Sequence, residues 1–182
     1  MIYEAKEFTV KDNLKVVLRT PDVKQAPEVL DFIKNAADQT DFLLSSSEDF
    51  NFTVEKEENF IESCREGNDY FIVVEVDEKI VGDCSLNFNT HLKDRHRGKI
   101  GIAIDEAYWN RGIGSLLFDE MIRLAEEKDG IEQLELGVLD NNERAKHLYE
   151  SKGFEYIGRI PRAIKQKDGT YHDEEMMVKF IK

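Results

Sequence analysis

One stretch of the sequence is the most informative about the fold: Trp109-Asn110-Arg111-Gly112-Ile113-Gly114-Ser115. The apolar run from Ile100 to Ile104 precedes it and is typical of a strand. A helical pattern follows it, with apolar residues spaced three and four apart at Ile113, Leu116, Leu117, Met121 and Leu124. The glycines are therefore predicted to open a helix directly after a strand.

Such a turn suits a bound diphosphate. The first N–H groups of a helix have no partner within the helix, and the helix dipole makes that end positive. Gly112 and Gly114 allow a ligand to approach the backbone closely because neither has a Cβ atom. Arg111 would add a charged donor beside them. A glycine turn without any ligand fits the same short pattern, and both interpretations stay open on this segment alone.

Two common nucleotide motifs do not match this turn. A dinucleotide fingerprint requires a third glycine, where this chain has Leu117, and an acid after the next strand, where Asp140 is poorly placed. A Walker loop requires Gly-Lys-Ser or Gly-Lys-Thr, which the turn lacks. The predicted phosphate site therefore belongs to neither class.

A second informative segment runs from Asp140 to Phe154 and is predicted to form a short helix over residues 141–152. Asn142, Ala145 and Tyr149 share one helical face at spacings i, i+3 and i+7. Asp140 and Glu143 have the spacing of a capping box, and Gly153 is placed to end the helix. Tyr149 can equally be an ordinary core residue, so this segment alone does not decide its role.

The remaining pattern predicts one α/β layered domain over residues 1–182 with a mixed sheet. A helix is expected from Val23 to Ala37, with Pro27 in its first turn. Another is expected from Val54 to Arg65, with its inward side formed by Phe60, Ile61 and Cys64. Short strands are expected at 6–10, 14–20, 70–76, 80–88, 99–105, 131–138, 154–164 and 171–181.

Composition restricts the function classes. The 182 residues include 38 Asp and Glu against 25 Lys and Arg, giving a formal net charge of −13. A chain this acidic is a poor candidate for nucleic-acid binding. Its charge can attract cationic small molecules, or it can serve only to keep the protein soluble. Cys64 and Cys84 have neither disulfide-framework nor metal-ligand spacing, so we expect no metal and a cytoplasmic, reducing location. No signal peptide or membrane-spanning run is expected.

Taken together, the two segments resemble the GNAT superfamily of N-acetyltransferases. Gly112-Ile113-Gly114 looks like its acyl-CoA pyrophosphate loop, and Asn142-x-x-Ala145-x-x-Leu148-Tyr149-x-x-x-Gly153-Phe154 is similar to its other signature. Trp109 departs from the Gln or Arg usual in the family. The resemblance implies a mixed, mostly antiparallel central sheet of about seven strands flanked by about four helices.

The resemblance also implies roles for particular residues. The backbone amides of Arg111, Gly112, Ile113, Gly114 and Ser115 would hold the pyrophosphate of acetyl-CoA, with Ile102, Ala103, Ile104, Asn142 and Ala145 along the rest of the cofactor. The pantetheine arm would lie between the strand ending near Asp105 and the strand at 131–138, where Gly101 and Gly137 permit irregular pairing. Tyr149 would be the general acid. Residues near the acceptor would be Glu48, Phe50, Phe52, Asp83 and His172.

The expected reaction is the transfer of an acetyl group to a primary amine in a ternary complex. A lysine-like amine has a pKa of about 10.4, so a base must take its proton before it attacks the thioester. Backbone N–H groups at 102–104 would stabilise the developing oxyanion, and a phenol can protonate the departing sulfur. The base is not decided by the sequence, and Asp83, Glu75, Glu48 and His172 all remain candidates.

We expect the acceptor to be a small amine, such as a polyamine or an amino-acid-like compound. A protein or peptide acetyltransferase, a non-catalytic acyl-CoA sensor and a dinucleotide-dependent oxidoreductase are the competing interpretations. The C-terminal hairpin, around Asp168-Gly169, is a candidate for closing the acceptor site or for homodimer contacts.

Overall fold

The computed structural model describes residues 1–43 and 53–181 of the chain. Within these residues there are eight strands and four α-helices. The strands are β1 (Lys6–Thr9), β2 (Lys15–Arg19), β3 (Tyr70–Val76), β4 (Lys79–Phe88), β5 (Arg97–Ile104), β6 (Gln133–Leu139), β7 (Glu155–Lys165) and β8 (Tyr171–Phe180). The helices are α1 (Ala26–Gln39), α2 (Val54–Glu66), α3 (Ile113–Glu127) and α4 (Glu143–Ser151).

The chain divides into two compact units, and β5 and α3 contribute residues to both. The first unit contains Met1–Asn87 and Gly101–Leu116, and the second contains Phe88–Ile100 and Leu117–Lys182. In the first unit the strand order is β1-β2-β3-β4 followed by the C-terminal part of β5. In the second unit the N-terminal part of β5 pairs in parallel with β6, and β8 and β7 follow in antiparallel pairs. The predicted mixed, mostly antiparallel sheet is confirmed, with eight strands instead of about seven.

The register of the first unit places Val73, Asp83 and Ala103 side by side across three strands. Val73 of β3 lies opposite Asp83 of β4 in an antiparallel pair. On the other side of β4, the Asp105 N–H donates to the Val81 carbonyl at 2.9 Å. Because β4 and β5 are antiparallel, the residue two positions after Val81 lies opposite the residue two positions before Asp105. Asp83 is therefore opposite Ala103 of β5. Directly opposite residues share one face of a sheet, so these three side chains point the same way.

The helices α1 and α2 cover that face of the first unit with apolar side chains. The cluster of buried residues that joins helices and sheet contains Ala26, Val29, Phe32, Ala36, Ile61, Cys64, Phe71, Val73 and Ile80, and Ala103 packs against it. Its apolar contacts supply the main stabilisation of this unit, since burying apolar area contributes about 25 cal/mol per Å².

Local sequence determines where these helices begin. Asp22 caps the turn before α1 by accepting the Lys24 N–H, and Pro27 stands in the first turn as predicted. The Thr53 side chain caps α2 by accepting the Lys56 N–H. The inward side of α2 differs from prediction, because Phe60 is 41% exposed and its ring meets Phe71 only in an edge contact.

In the second unit, α3 and α4 pack their aromatic rings together. Phe118 of α3 is fully buried, and its ring centroid lies 5.0 Å from that of Tyr149 and 5.7 Å from that of Phe154. The apolar side chains of Met121 and Leu134 in the same unit are buried as well. These rings fix the position of Tyr149 in a densely packed core, where side chains have little freedom.

None of the helices in the described residues is both long and apolar enough to cross a membrane.

Candidate active site

The glycine turn opens α3 as the sequence predicts. Gly112 has φ +87°, a left-handed conformation that suits glycine, and α3 begins at the next residue. The Leu116 N–H makes a hydrogen bond of 3.0 Å to the Gly112 carbonyl. The amides of Ile113, Gly114 and Ser115 come before this bond and therefore have no acceptor within the helix. They form a group of backbone donors at the positive end of a helix of 15 residues, which favours a bound anion.

Neighbouring groups of the first unit hold this turn in place. The Trp109 indole Nε1 donates to the Ile104 carbonyl at 2.7 Å. The Lys11 backbone N–H donates to the Arg111 carbonyl at 3.1 Å. The Arg111 guanidinium lies over the Tyr108 ring, 5.9 Å from its centroid. Trp109 thus ties the turn to the end of β5, which gives a structural reason for its departure from the family pattern.

Asn142 caps α4, and the predicted capping box of Asp140 and Glu143 is wrong. The helix begins at Glu143, and the Asn142 Oδ1 accepts the Ala145 N–H at 3.2 Å. Asn142 therefore precedes the helical face that carries Ala145 and Tyr149. Because its oxygen is used by the cap, the side-chain NH₂ is the group left to donate to a ligand.

Tyr149 is buried on α4, with 8% of its surface exposed. Its ring packs against Phe118 and Phe154 of the same unit. Within the described part of the chain its hydroxyl has no hydrogen-bond partner, which leaves that group available to a ligand. Burial raises the pKa of Tyr149 to about 12, with a smaller opposing effect from Arg144. The phenol is therefore a proton donor that stays protonated at any physiological pH.

His172 belongs to a polar cluster in the second unit. Its Nδ1 lies 2.9 Å from Asp140 Oδ1, and its Nε2 lies 3.4 Å from Asn141 Nδ2. Burial by itself raises the pKa of Asp140, but hydrogen bonds from His172 and from the Asp173 backbone outweigh it and lower the pKa overall. Asp140 is thus an anion that orients the His172 ring, an arrangement that suits proton transfer.

Asp83 and Glu57 form a carboxyl pair in the first unit, and Glu57 was not among the residues predicted from the sequence. Burial, followed by the charge of Glu57, raises the pKa of Asp83 to about 7, and a backbone hydrogen bond from Ala103 opposes the shift. Burial also raises the pKa of Glu57. The available signal was spacing, since Glu57 precedes the inward residues Ile61 and Cys64 by four and seven positions.

The other predicted acceptor residues have different outcomes. Glu48, Phe50 and Phe52 lie outside the described residues. Glu75 is ion-paired with Arg19, whose Nε lies 3.0 Å from Glu75 Oε2. Residues 1–43 and 53–181 contain no group of three or more His, Cys, Asp or Glu side chains that could hold a metal ion.

Sequence comparison relates the chain to acetyltransferases. The sequence profile described as the acetyltransferase (GNAT) family matches residues 37–154, which include the glycine turn and α4. An L-amino acid N-acetyltransferase from Escherichia coli K12 is 28% identical over 108 residues, which are 59% of this chain and 66% of that protein. A putative phosphinothricin acetyltransferase from Bacillus subtilis 168 is 33% identical over 79 residues, covering 43% of this chain and 47% of that protein. The chain thus matches less than two thirds of either relative.

Structural comparison extends the match along the chain. The crystal structure of an acetyltransferase of the GNAT family from Streptococcus pneumoniae has a TM-score of 0.86 and 29% sequence identity. The match covers 91% of this chain and 99% of that one. The fold of this chain is therefore the fold of that acetyltransferase over nearly its whole length.

Proposed function

Because this chain belongs to the acetyltransferase (GNAT) family, we propose that it is an acetyl-CoA-dependent N-acetyltransferase acting on a primary amine. The observation that carries the proposal is the group of backbone donors at Ile113, Gly114 and Ser115, opened by the left-handed Gly112. Acetyl-CoA has a diphosphate that such donors recognise, and its thioester supplies the acetyl group. A diphosphate can reach these amides because Gly112 is exposed and, being glycine, has no side chain to block them.

The roles of individual residues follow from their chemistry. The amides at 111–115 would bind the diphosphate, with Arg111 as a charged neighbour. Asn142 would donate from its NH₂ group to an amide oxygen of the pantetheine arm, and Ile102, Ala103, Ile104 and Ala145 would provide the remaining contacts. Tyr149 would give its hydroxyl proton to the departing sulfur. Holding both reactants in one complex would account for much of the rate.

We propose a small amine as the acceptor, of amino-acid or polyamine type. The net charge of −13 favours a cationic compound. Relatives named for L-amino acids and phosphinothricin support a small acceptor. The two free cysteines, Cys64 and Cys84, support a cytoplasmic location.

Two further proposals concern the organisation of the chain. We propose that both units serve one acetyltransferase domain, since the family profile runs through residues of both. We also propose a homodimer that uses the C-terminal hairpin, because several large side chains of β7 and β8 are exposed: Tyr156, Ile157, Ile160, Tyr171 and Phe180.

The function is tested by calorimetry and by thiol release. We expect saturable binding of acetyl-CoA and no binding of NADH. Free thiol should then appear from acetyl-CoA when a panel of amino acids, polyamines and short peptides is added, with the small amines as the better substrates. Tight binding without turnover on any amine would favour a sensor, and NADH binding without CoA binding would reject the assignment. Turnover on peptides alone would replace the small acceptor with a protein.

Gly112→Ala should weaken acetyl-CoA binding about tenfold or more, because a Cβ atom disfavours the left-handed backbone that aims the amides. The backbone strain costs about 1–2 kcal/mol. Gly130→Ala is the matched control, since Gly130 is also left-handed at φ +81° and a Cβ atom there would meet nothing within 4 Å. Both variants should lose similar stability in urea, whereas calorimetry should show weaker binding for Gly112→Ala alone. Equal affinities for the two variants would contradict the proposed loop site.

A further inference from the structure

One carboxyl side chain interrupts the apolar face of the sheet in the first unit. Asp83 stands between Val73 and Ala103, and both neighbours belong to the apolar layer between the sheet and the helices. Asp83 is only partly exposed to water. A carboxylate at such a position is costly compared with an apolar residue, so its presence requires a reason beyond packing.

A second carboxyl reaches the same apolar layer from the helix side. Glu57 is 4% exposed and lies on the side of α2 that carries Ile61 and Cys64, both members of that layer. Its Oε1 is fully buried and has no hydrogen-bond partner among the described residues. The charge of Glu57 also raises the pKa of Asp83, as expected for two acids that face one apolar layer. An unpartnered buried carboxyl beside another carboxyl is a site for a proton or a cation.

Within residues 1–43 and 53–181, the charged side chain in register with this pair on the neighbouring strand has a partner of its own. The β2 strand carries Arg19 opposite Val73, but that guanidinium is ion-paired with Glu75. From α2, Cys64 faces the same layer, whereas Cys84, next to Asp83 on β4, points to the other face of the sheet. Burial raises the pKa of both thiols, so both stay neutral. The α1 side chains in the layer are apolar: Ala26, Val29, Phe32 and Ala36.

We propose that Asp83 is the catalytic base that takes the proton of the incoming amine, and that Glu57 is a positioning residue whose negative charge helps Asp83 to hold that proton. This inference rests on the proposed function. The location supports it, because Asp83 lies opposite Ala103, one of the strand residues predicted to contact the acyl end of the cofactor. A partly exposed carboxylate with a second acidic side chain behind it attracts an ammonium group and can accept its proton.

The proton balance of the step is complete. Asp83 as carboxylate takes one proton from R–NH₃⁺ and becomes the carboxylic acid, leaving R–NH₂. The amine lone pair then forms the N–C bond to the acetyl carbon while the C–S bond breaks. Tyr149 gives its proton to the sulfur, and the second amine proton restores the phenol. The proton on Asp83 then leaves for water, which matches the single proton that the overall reaction releases.

The pH dependence of the pair supports this role. A pKa of about 7 for Asp83 makes the base half ionised at neutral pH and fully ionised well above it. The negative charge of Glu57 contributes to this raised pKa, after the effect of burial. Removing the charge of Glu57 should therefore lower the pKa of Asp83 and extend its ionised range toward lower pH.

The test is the pH profile of kcat for three proteins with one saturating amine. Wild type should lose activity below about pH 7. Glu57→Gln should move that acid limb by about one pH unit toward lower pH and change the plateau little. Asp83→Asn should lower kcat about 100-fold at the plateau, the scale expected for loss of a general base. Glu55→Gln and Asp31→Asn, at exposed positions on α2 and α1, are the controls and should behave as wild type.

Direct titration separates this inference from the proposed function. Carboxyl ¹³C chemical shifts should show Asp83 titrating near pH 7 in wild type and lower in Glu57→Gln, whether or not the protein is active. Wild type without turnover on any amine would defeat the proposed function but leave this titration standing. An active wild type whose acid limb is unchanged in Glu57→Gln, or a folded Asp83→Asn with wild-type kcat, would overturn the inference. If His172→Asn, and not Asp83→Asn, removed the acid limb of the kcat profile, the base would be the His172 and Asp140 pair.

Discussion

Tyr149→Phe should lower kcat at least about 100-fold, because the sulfur then leaves without its proton donor. The ring contacts with Phe118 and Phe154 remain in the variant, and the missing hydroxyl has no partner among the described residues. We therefore expect the free energy of unfolding to change by less than about 0.5 kcal/mol. Affinity for acetyl-CoA should stay within about twofold of wild type, since a single neutral contact contributes little to binding.

Steady-state kinetics with thiol detection and calorimetry on the same preparation would check this separation of turnover from binding. Tyr156→Phe is the matched control, because Tyr156 is 55% exposed on β7 and has no predicted role in catalysis or in cofactor binding. The pH range matters as well. With a pKa of about 12, Tyr149 stays protonated throughout the neutral and mildly alkaline range, so wild type should show no alkaline limb caused by this residue there. Wild-type turnover in Tyr149→Phe would mean that water protonates the sulfur.

Asp83→Asn should make the protein more stable at alkaline pH. Burial raises the pKa of Asp83 from 3.8 to about 7, so the folded protein retains a proton that the unfolded chain loses between those values. Stability therefore falls as pH rises from about 4 to 7 and stays low above it. At about 1.4 kcal/mol per pH unit, and with allowance for partial exposure to water, the cost of ionisation is about 3 kcal/mol. An amide does not ionise and avoids this cost.

Thermal unfolding at a series of pH values would measure the effect. The two proteins should unfold at similar temperatures near pH 4, and Asp83→Asn should be higher by roughly 6–12 °C at about pH 8. Asp31→Asn, at an exposed position of α1, should follow wild type at every pH. A difference that is the same at all pH values would mean that the carboxyl does not ionise in a costly environment.

The glycine turn and the element order were predictable because they depend on local chemistry. A helix cannot satisfy its first amides, and a left-handed residue is easiest for glycine, so Gly112 identified the start of α3. Alternation and helical spacing likewise located the strands and helices. The one misplaced cap, at Asp140, has a tertiary cause: its carboxylate is occupied by His172, far along the chain on β8, which leaves Asn142 to cap α4.

The acidic pair was not predictable from any single segment. The sequence named Asp83 as one of four candidate bases but gave no reason to prefer it, and Glu57 looks like one acid among several in a charged helix. Their environment depends on the strand order and on the side of α2 that meets the sheet, both of which are long-range. The exposed Phe60 misled the prediction in the same way, because hydrophobicity suggested an inward position that Glu57 occupies about one turn earlier.

The backbone hydrogen bond from Lys11 to the Arg111 carbonyl has an evolutionary consequence. A main-chain hydrogen bond does not depend on the side chains of its partners, so this bond leaves position 11 free to vary among descendants of this gene. Proline is the exception there because it has no N–H to donate. Insertions or deletions in either connection would instead slide the partners apart. Length, more than identity, is what selection should preserve in the tip of the first hairpin.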